Sequence, residues 1–151
     1  MLTGARAAAD AVTGLAGEVE LLHVSAHGRH ATDNPMFSAL ELDDGDWSGY
    51  DIDHLAGIPP TVVLSACELG RASVRAGEEM VGMTAAWLHA GSTSVLAATA
   101  AMGDDVACDL LGRSHARLAA GRPPAEALAE AAPSDWVASQ PAPLLCFGRG
   151  W

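Results

Sequence analysis

The chain has 151 residues, of which half are apolar and 18% are charged. This composition is typical of one globular domain and argues against a disordered protein. The formal net charge is −11, and the 8 basic residues are all arginines spread along the chain. Because nucleic-acid binding needs a concentrated basic surface, we expect no nucleic-acid partner.

Targeting signals are missing from the sequence. No apolar run approaches the ~18 residues that a membrane helix needs, and residues 1–20 lack the basic start and apolar core of a secretory signal. The three cysteines, at positions 67, 108 and 146, are too few and too widely spaced for a disulfide framework or a zinc knuckle. We therefore expect a cytoplasmic protein with reduced thiols, no membrane partner and no cofactor.

The predicted elements alternate between strands and helices. Strands are predicted over residues 19–25, 39–42, 61–65, 92–99 and 144–147. Helices are predicted over residues 49–56, 78–90, 105–120 and 124–132, the third of them capped by Asp104. The segment 61–65 is apolar without alternation, which indicates a central parallel strand covered on both faces. The sequence thus predicts a single α/β domain over residues 1–151 with a mostly parallel sheet.

Two chemically reactive residues follow predicted buried strands. His27 comes just after strand 19–25, where we expect a turn, and Cys67 comes just after strand 61–65. Sites in parallel sheets form beyond the carboxyl ends of the strands, so neighbouring strands would bring both side chains to one edge. A thiol beside an imidazole is the pair that nucleophilic catalysis needs. The backbone N–H groups of Gly28 and Cys67 are candidates for an oxyanion hole.

Each of these residues also has a structural interpretation. A free cysteine is most often a buried apolar residue, and we expect this of Cys108 and Cys146. Cys67 fits that interpretation less well because a polar loop follows it. His27 could instead be a turn histidine that bonds to backbone. His23, His27 and His30 could bind a metal with Cys67, but the predicted strand holds the first two about 13 Å apart.

Two segments resemble the motifs of a known family. Residues 23–29 (HVSAHGR) resemble the histidine motif of CHAT domains, and residues 64–70 (LSACELG) resemble their cysteine motif. The order and the spacing of 40 residues between His27 and Cys67 are similar too. Further similar segments lie at 34–42, 90–91 and 118–128, so the resemblance covers nearly the whole chain.

The resemblance implies a caspase-like three-layer sandwich and a cysteine endopeptidase. In that chemistry Cys67 attacks the scissile carbonyl to form a thioester, and His27 protonates the leaving amine. The implied partners are a protein or peptide substrate and a TPR or other sensor domain or partner chain. The beginning of the sequence resembles the middle of a CHAT domain, so we expect the N-terminal strands of the fold to be missing.

The resemblance also suggests substrate-pocket residues. Ser25 and Ala66 belong to the two motifs, while Asp104 and Asp105 follow the strand after the cysteine strand. An acid in the pocket would favour a basic substrate side chain, although an N-cap explains Asp104 more simply.

The sequence departs from the family pattern at two sites. Leu69 replaces the usual threonine, and residues 100–105 lack the usual tryptophan. Two other functions stay open. One is an interaction module or scaffold that is inactive because it is truncated or needs a partner, and the other is a thiol acyltransferase.

Overall fold

The structure is a computed structural model that describes residues 1–29, 31, 34–65, 78–98, 102–133 and 144–150. The described strands are β1 (Leu21–Ser25), β2 (His27–Arg29), β3 (Ala39–Leu42), β4 (Gly45–Ser48), β5 (Thr61–Ser65), β6 (Ser94–Ala98) and β7 (Leu144–Gly148). The described helices are α1 (Ala9–Ala16), α2 (Gly49–Asp53), α3 (Glu78–Ala90), α4 (Asp104–Ala119) and α5 (Pro124–Ala131), with 3-10 turns at Gly4–Arg6 and Pro35–Phe37. None of these helices is long and apolar enough to cross a membrane.

The strands form two sheets. The central sheet has the order β1-β5-β6-β7, in which β1, β5 and β6 are parallel and β7 is antiparallel to β6. The second sheet is the antiparallel meander β2-β3-β4. The expected mixed α/β fold with a mostly parallel central sheet, consistent with a caspase-like sandwich, is therefore confirmed, and β5 is the inner parallel strand that its apolar sequence predicts.

Helices cover both faces of the central sheet. On one face, Val62 and Leu64 of β5 belong to a core that includes Trp47 and Trp87. On the other face, Val63 belongs to a second core formed with α4 and α5. Since successive side chains of a strand point to opposite faces, β5 supplies apolar side chains to both cores. This explains why its sequence shows no polar alternation.

The structure differs from the sequence prediction in several elements. Strand β4 was not predicted, and it forms by pairing with β3. Three further differences concern α1, β2 and the start of α4. Helix α1 was not predicted, and its first N–H, that of Ala9, donates to the side chain of Asp44, 35 residues away, at 2.9 Å. His27 lies in strand β2 rather than in a turn, because β3 pairs with it. Helix α4 begins at Asp104 itself with Gly103 as its N-cap, so Asp104 is not the cap. In these three cases the sequence next to the element does not show the contact or the backbone angle that the structure has there.

Gly148 should tolerate no side chain. Its φ of +86° is strained for other residues, and a Cβ there would lie 2.4 Å from the carbonyl oxygen of Thr93, which already accepts a hydrogen bond from Arg149. We expect Gly148→Ala to lower the free energy of unfolding by about 2 kcal/mol or more, measured by urea denaturation.

Gly14 is the matched control for that substitution. It lies inside α1 and has no atom within 4 Å of a built Cβ. Gly14→Ala should raise the free energy of unfolding by about 0.5–1 kcal/mol, because alanine is the better helix former. Equal effects of the two substitutions would contradict this account of Gly148.

Candidate functional site

The ends of β1 and β5 define the candidate site. The two strands are parallel neighbours in a register that places Ser25 opposite Ser65. The chain therefore leaves both strands at the same edge of the sheet, two residues before His27 and Cys67 respectively. The expectation that the histidine strand and the cysteine strand are neighbours is confirmed. Cys67 itself, together with Ala66 and His30, lies outside the described residues.

His27 begins the edge strand of the small sheet. Its register partner across the β2–β3 ladder is Glu41, so the imidazole and the carboxylate lie on the same face of that sheet. Both residues are exposed, and no hydrogen bond among the described residues uses the His27 ring. Gly28 follows opposite Leu40. The His27 ring is therefore exposed at this edge of the structure.

A cavity of about 950 Å³ lies at this edge of the central sheet. Its wall includes Ser25, Ser65 and His27 from the strand ends, and Glu41 from β3. Ligand sites in proteins commonly have volumes of about 300–1,000 Å³, so the space is sufficient for several residues of a peptide. The predicted catalytic histidine and the predicted pocket residue Ser25 therefore share one cavity.

One face of α4 closes the cavity from the other side. Asp104, Cys108, Gly112 and His115 recur at intervals of three or four residues and all line it. Cys108 is exposed there, so the expectation that it is a buried structural thiol is wrong. Asp105 lies on a different face of the helix and lines a separate depression instead. Of the two predicted pocket acids, only Asp104 lines this cavity.

The cavity is electronegative. Carboxylates of Glu41, Asp43 and Asp104 lie on its wall, and its described lining includes no arginine. Fixed charges of one sign around a concave surface raise the local concentration of ions of the opposite sign. The cavity therefore has the electrostatics to attract positively charged side chains.

Three side chains in the wall form a hydrogen-bonded chain. The Nε2 atom of His23 is 2.8 Å from the hydroxyl of Ser65, and its Nδ1 atom is 2.9 Å from Nε2 of His115. Burial and the neighbouring His115 lower the pKa of His23 to about 4, and burial also lowers the pKa of His115. Both imidazoles are therefore neutral at pH 7.

The site contains residues that the sequence prediction missed. His115 is 92 residues from His23, and no sequence motif connects them. The contact of His23 with Ser65 could have been predicted from the alternation of side chains along paired strands. His23 is opposite Val63, so it points to the same face of the sheet as Ser65, two residues further on. Among the described residues, no three His, Cys, Asp or Glu side chains come together as metal ligands.

The remaining cysteine behaves as a structural residue. Cys146 lies in β7, where it is half-buried against the core that α4 and α5 cover. This burial raises the pKa of its thiol. At neutral pH Cys146 is therefore a less reactive nucleophile than an ordinary exposed cysteine.

The comparisons with known proteins agree with the motifs. The family model of the CHAT domain matches residues 1–141, which is nearly the whole chain. A comparison with curated proteins found no match. The matched region contains both motifs, the strands that end beside the cavity and helix α4 that closes it. The chain therefore belongs to the CHAT domain family, a caspase-like family related to cysteine peptidases.

Proposed function

We propose that this chain is a cysteine endopeptidase in which Cys67 is the nucleophile and His27 is the proton carrier. The observation that carries the proposal is the parallel pairing of β1 and β5, with Ser25 opposite Ser65. Each catalytic candidate follows one of these paired serines by two residues, and a chain of two residues spans at most about 7 Å. The cavity with His27 on its wall lies at the same edge.

The proposed reaction runs through a covalent intermediate. The Cys67 thiolate attacks the carbonyl carbon of the scissile bond, and the resulting oxyanion accepts hydrogen bonds from the N–H groups of Gly28 and Cys67. The imidazolium of His27 then protonates the departing amine, which leaves a thioester. His27 next takes a proton from water, and the hydroxide attacks the thioester carbonyl. Collapse of this second intermediate releases the carboxylic acid product and the Cys67 thiolate, which restores the thiolate–imidazolium pair.

The substrate class follows from the wall of the cavity. Its three carboxylates, on Glu41, Asp43 and Asp104, favour a peptide with a basic side chain. The proposed substrate is thus a protein segment that contains arginine or lysine and is extended enough to enter the cavity.

Alkylation by iodoacetamide tests the pair without a known substrate. A thiol with an ordinary pKa is only ~0.3% thiolate at pH 6, whereas a cysteine paired with imidazolium is largely ionised there. We expect Cys67 to react at pH 6 about tenfold faster than Cys108 or Cys146, and to lose this advantage in His27→Ala. Peptide mass spectrometry reads the three cysteines in one sample, so two of them are internal controls.

An inactive interaction module is the second candidate function. Strand β1 ends the strand order of the described central sheet, so it has an edge along which another strand can pair. If Cys67 alkylates like an ordinary thiol in both the wild type and His27→Ala, the peptidase proposal is wrong for this chain. Binding through the β1 edge would then be the better explanation of the fold.

A further inference from the structure

The hydrogen-bonded chain of Ser65, His23 and His115 joins three separate elements. Ser65 ends β5, His23 is in the middle of β1, and His115 is in the last third of α4. The two imidazole rings also stack, with centroids 4.9 Å apart and planes inclined by 26°. The chain thus links the end of the inner strand to the helix that closes the cavity.

Among the described residues, the last residue of β5 pairs with only one neighbouring strand. Strand β5 pairs with β6 only from Thr61 to Leu64, whereas its pairing with β1 extends to Ser65. At Ser65 the described backbone ladder therefore continues on one side only. The hydrogen bond from the Ser65 side chain to His23 adds a second attachment at the point where the chain continues towards Cys67.

The order of the three groups is similar to that of a catalytic triad. Ser65 has the place of the nucleophile, His23 that of the base and His115 that of the orienting group, but the chemistry differs. A catalytic base becomes charged during the reaction, and a carboxylate beside it stabilises that charge. His115 is a neutral imidazole, which can accept a hydrogen bond but has no negative charge to offset that of an imidazolium on His23. The Ser65 hydroxyl is therefore held by the pair rather than activated by it.

The hydrogen bonds of this chain exist only in some protonation states of the two rings. With both rings neutral, one hydrogen lies between His23 and His115, and one lies between His23 and Ser65. A single added proton on His115 preserves both bonds, since His115 then donates to His23. A second proton places two N–H groups against each other and breaks the link between the rings.

Acid should therefore disrupt the chain. Both histidines have a lowered pKa in the folded protein, so the unfolded chain binds more protons than the folded one at acid pH. The stability contributed by the neutral pair is present at pH 7 and is lost as the pH falls from about 6.5 towards 4.

Other charged and titratable groups share the cavity with the pair. They come from α4, β2, β3 and the turn after β3, and they are Asp104, Cys108, His27, Glu41 and Asp43. Among the described residues, none of them forms a hydrogen bond with His23 or His115.

We propose that His115 is a positioning residue of the peptidase proposed above. Through His23 it fixes the Ser65 side chain, and thereby the end of β5 from which the chain continues to Cys67. The inference rests on the proposed function, because the residue to be positioned is the proposed nucleophile. The two motifs lie at the ends of β1 and β5, and the inference adds to their site a residue from helix α4.

The test uses covalent peptide probes, since no substrate is identified. A single peptidyl acyloxymethyl ketone with arginine next to the reactive group, used at several concentrations, reports kinact and KI separately. In the wild type we expect labelling of Cys67, read by peptide mass spectrometry. In His115→Phe, which keeps a ring against His23 but removes Nε2, we expect kinact to fall about tenfold with KI within about twofold. A displacement of 1 Å in an active site can cost ~10²-fold, which sets this scale.

His115→Gln is the matched rescue variant. The amide of glutamine can place a polar atom near the position of Nε2 and so restore a hydrogen bond to Nδ1 of His23. We expect kinact in His115→Gln to return to within about threefold of the wild type. If His115→Phe does not fold, Ser65→Ala removes the same chain from its other end, and its kinact should fall similarly with little change in KI.

NMR titration of the His23 ring tests whether the two rings interact in solution. Burial lowers the pKa of His23 and the nearby His115 lowers it further, so in His115→Phe, which keeps the ring buried, that pKa should rise. An unchanged pKa in the folded variant would show that the two rings do not interact in solution and would overturn the proposal.

The outcomes separate this inference from the function on which it rests. If Cys67 is not labelled in the wild type, the peptidase proposal fails and the inference fails with it. If Cys67 is labelled equally fast in the wild type and His115→Phe, the inference alone is wrong. Equal losses in His115→Phe and His115→Gln would also overturn it. Labelling of Ser65 by a fluorophosphonate would assign that hydroxyl a nucleophilic role instead.

Discussion

Cys67→Ala is expected to lower peptide hydrolysis by on the order of 10⁴-fold or more, because the proposed thioester needs the sulfur. His27→Ala should cause a loss of similar order, since residues that act as a unit are not additive. The double variant should therefore be no slower than the slower single variant. The measurement is hydrolysis of a fluorogenic peptide mixture that contains arginine or lysine before the cleaved bond.

The other two cysteines decide how that loss is interpreted. Cys146→Ala is the control, because this half-buried thiol in β7 lies outside the cavity wall. We expect it to retain activity within about twofold. Cys108 lies on the wall and is exposed, which makes it the competing nucleophile. Loss of hydrolysis in Cys108→Ala with retention in Cys67→Ala would overturn the assignment of Cys67.

Trp87→Ala is expected to have the largest effect on stability. The side chain is fully buried, and its ring centroid is 5.6 Å from that of Trp47 in the core between α3 and the sheet. Truncating a buried tryptophan costs about 3–5 kcal/mol, a large part of the 5–15 kcal/mol that typically stabilises a domain. Urea denaturation followed by circular dichroism measures this loss.

Phenylalanine substitutions separate the ring from its N–H group. Among the described residues no acceptor reaches Nε1 of Trp87, whereas Nε1 of Trp47 donates to Thr13 at 3.2 Å. Trp87→Phe removes a buried donor without a partner, so it should cost less than Trp47→Phe by about 1 kcal/mol. Equal losses in these two variants would contradict this account, and so would a Trp87→Phe variant as unstable as Trp87→Ala.

The central sheet could be predicted because its strands have local signals. Residues 61–65 are β-branched and apolar between two prolines and a polar loop, so both the strand and its inner position follow from the sequence. Helices α3 and α4, which cover the sheet, were also predicted from local signals, namely their apolar pattern and the residues at their ends. In contrast, the first N–H of α1 bonds to a carboxylate from Asp44, and a contact over 35 residues leaves no local pattern.

The candidate site was predictable only in part. The two motifs placed His27 and Cys67 after neighbouring strands, and the register of β1 and β5 agrees with this. The role of α4 was not predictable, because its apolar pattern indicates only which face packs on the core. Cys108 illustrates the error, since it was assigned to the buried face and instead lines the cavity.

The opposite faces of α4 have separate tasks, which bears on how this protein can evolve. Leu110 is buried in the core and lies off the cavity wall, whereas Asp104, Cys108 and Gly112 lie on that wall. A built Cβ at Gly112 meets no atom within 4 Å, so larger side chains have room there. New substrate preferences of the proposed peptidase can therefore arise by substitutions on one helix face while the residues that hold the fold stay unchanged.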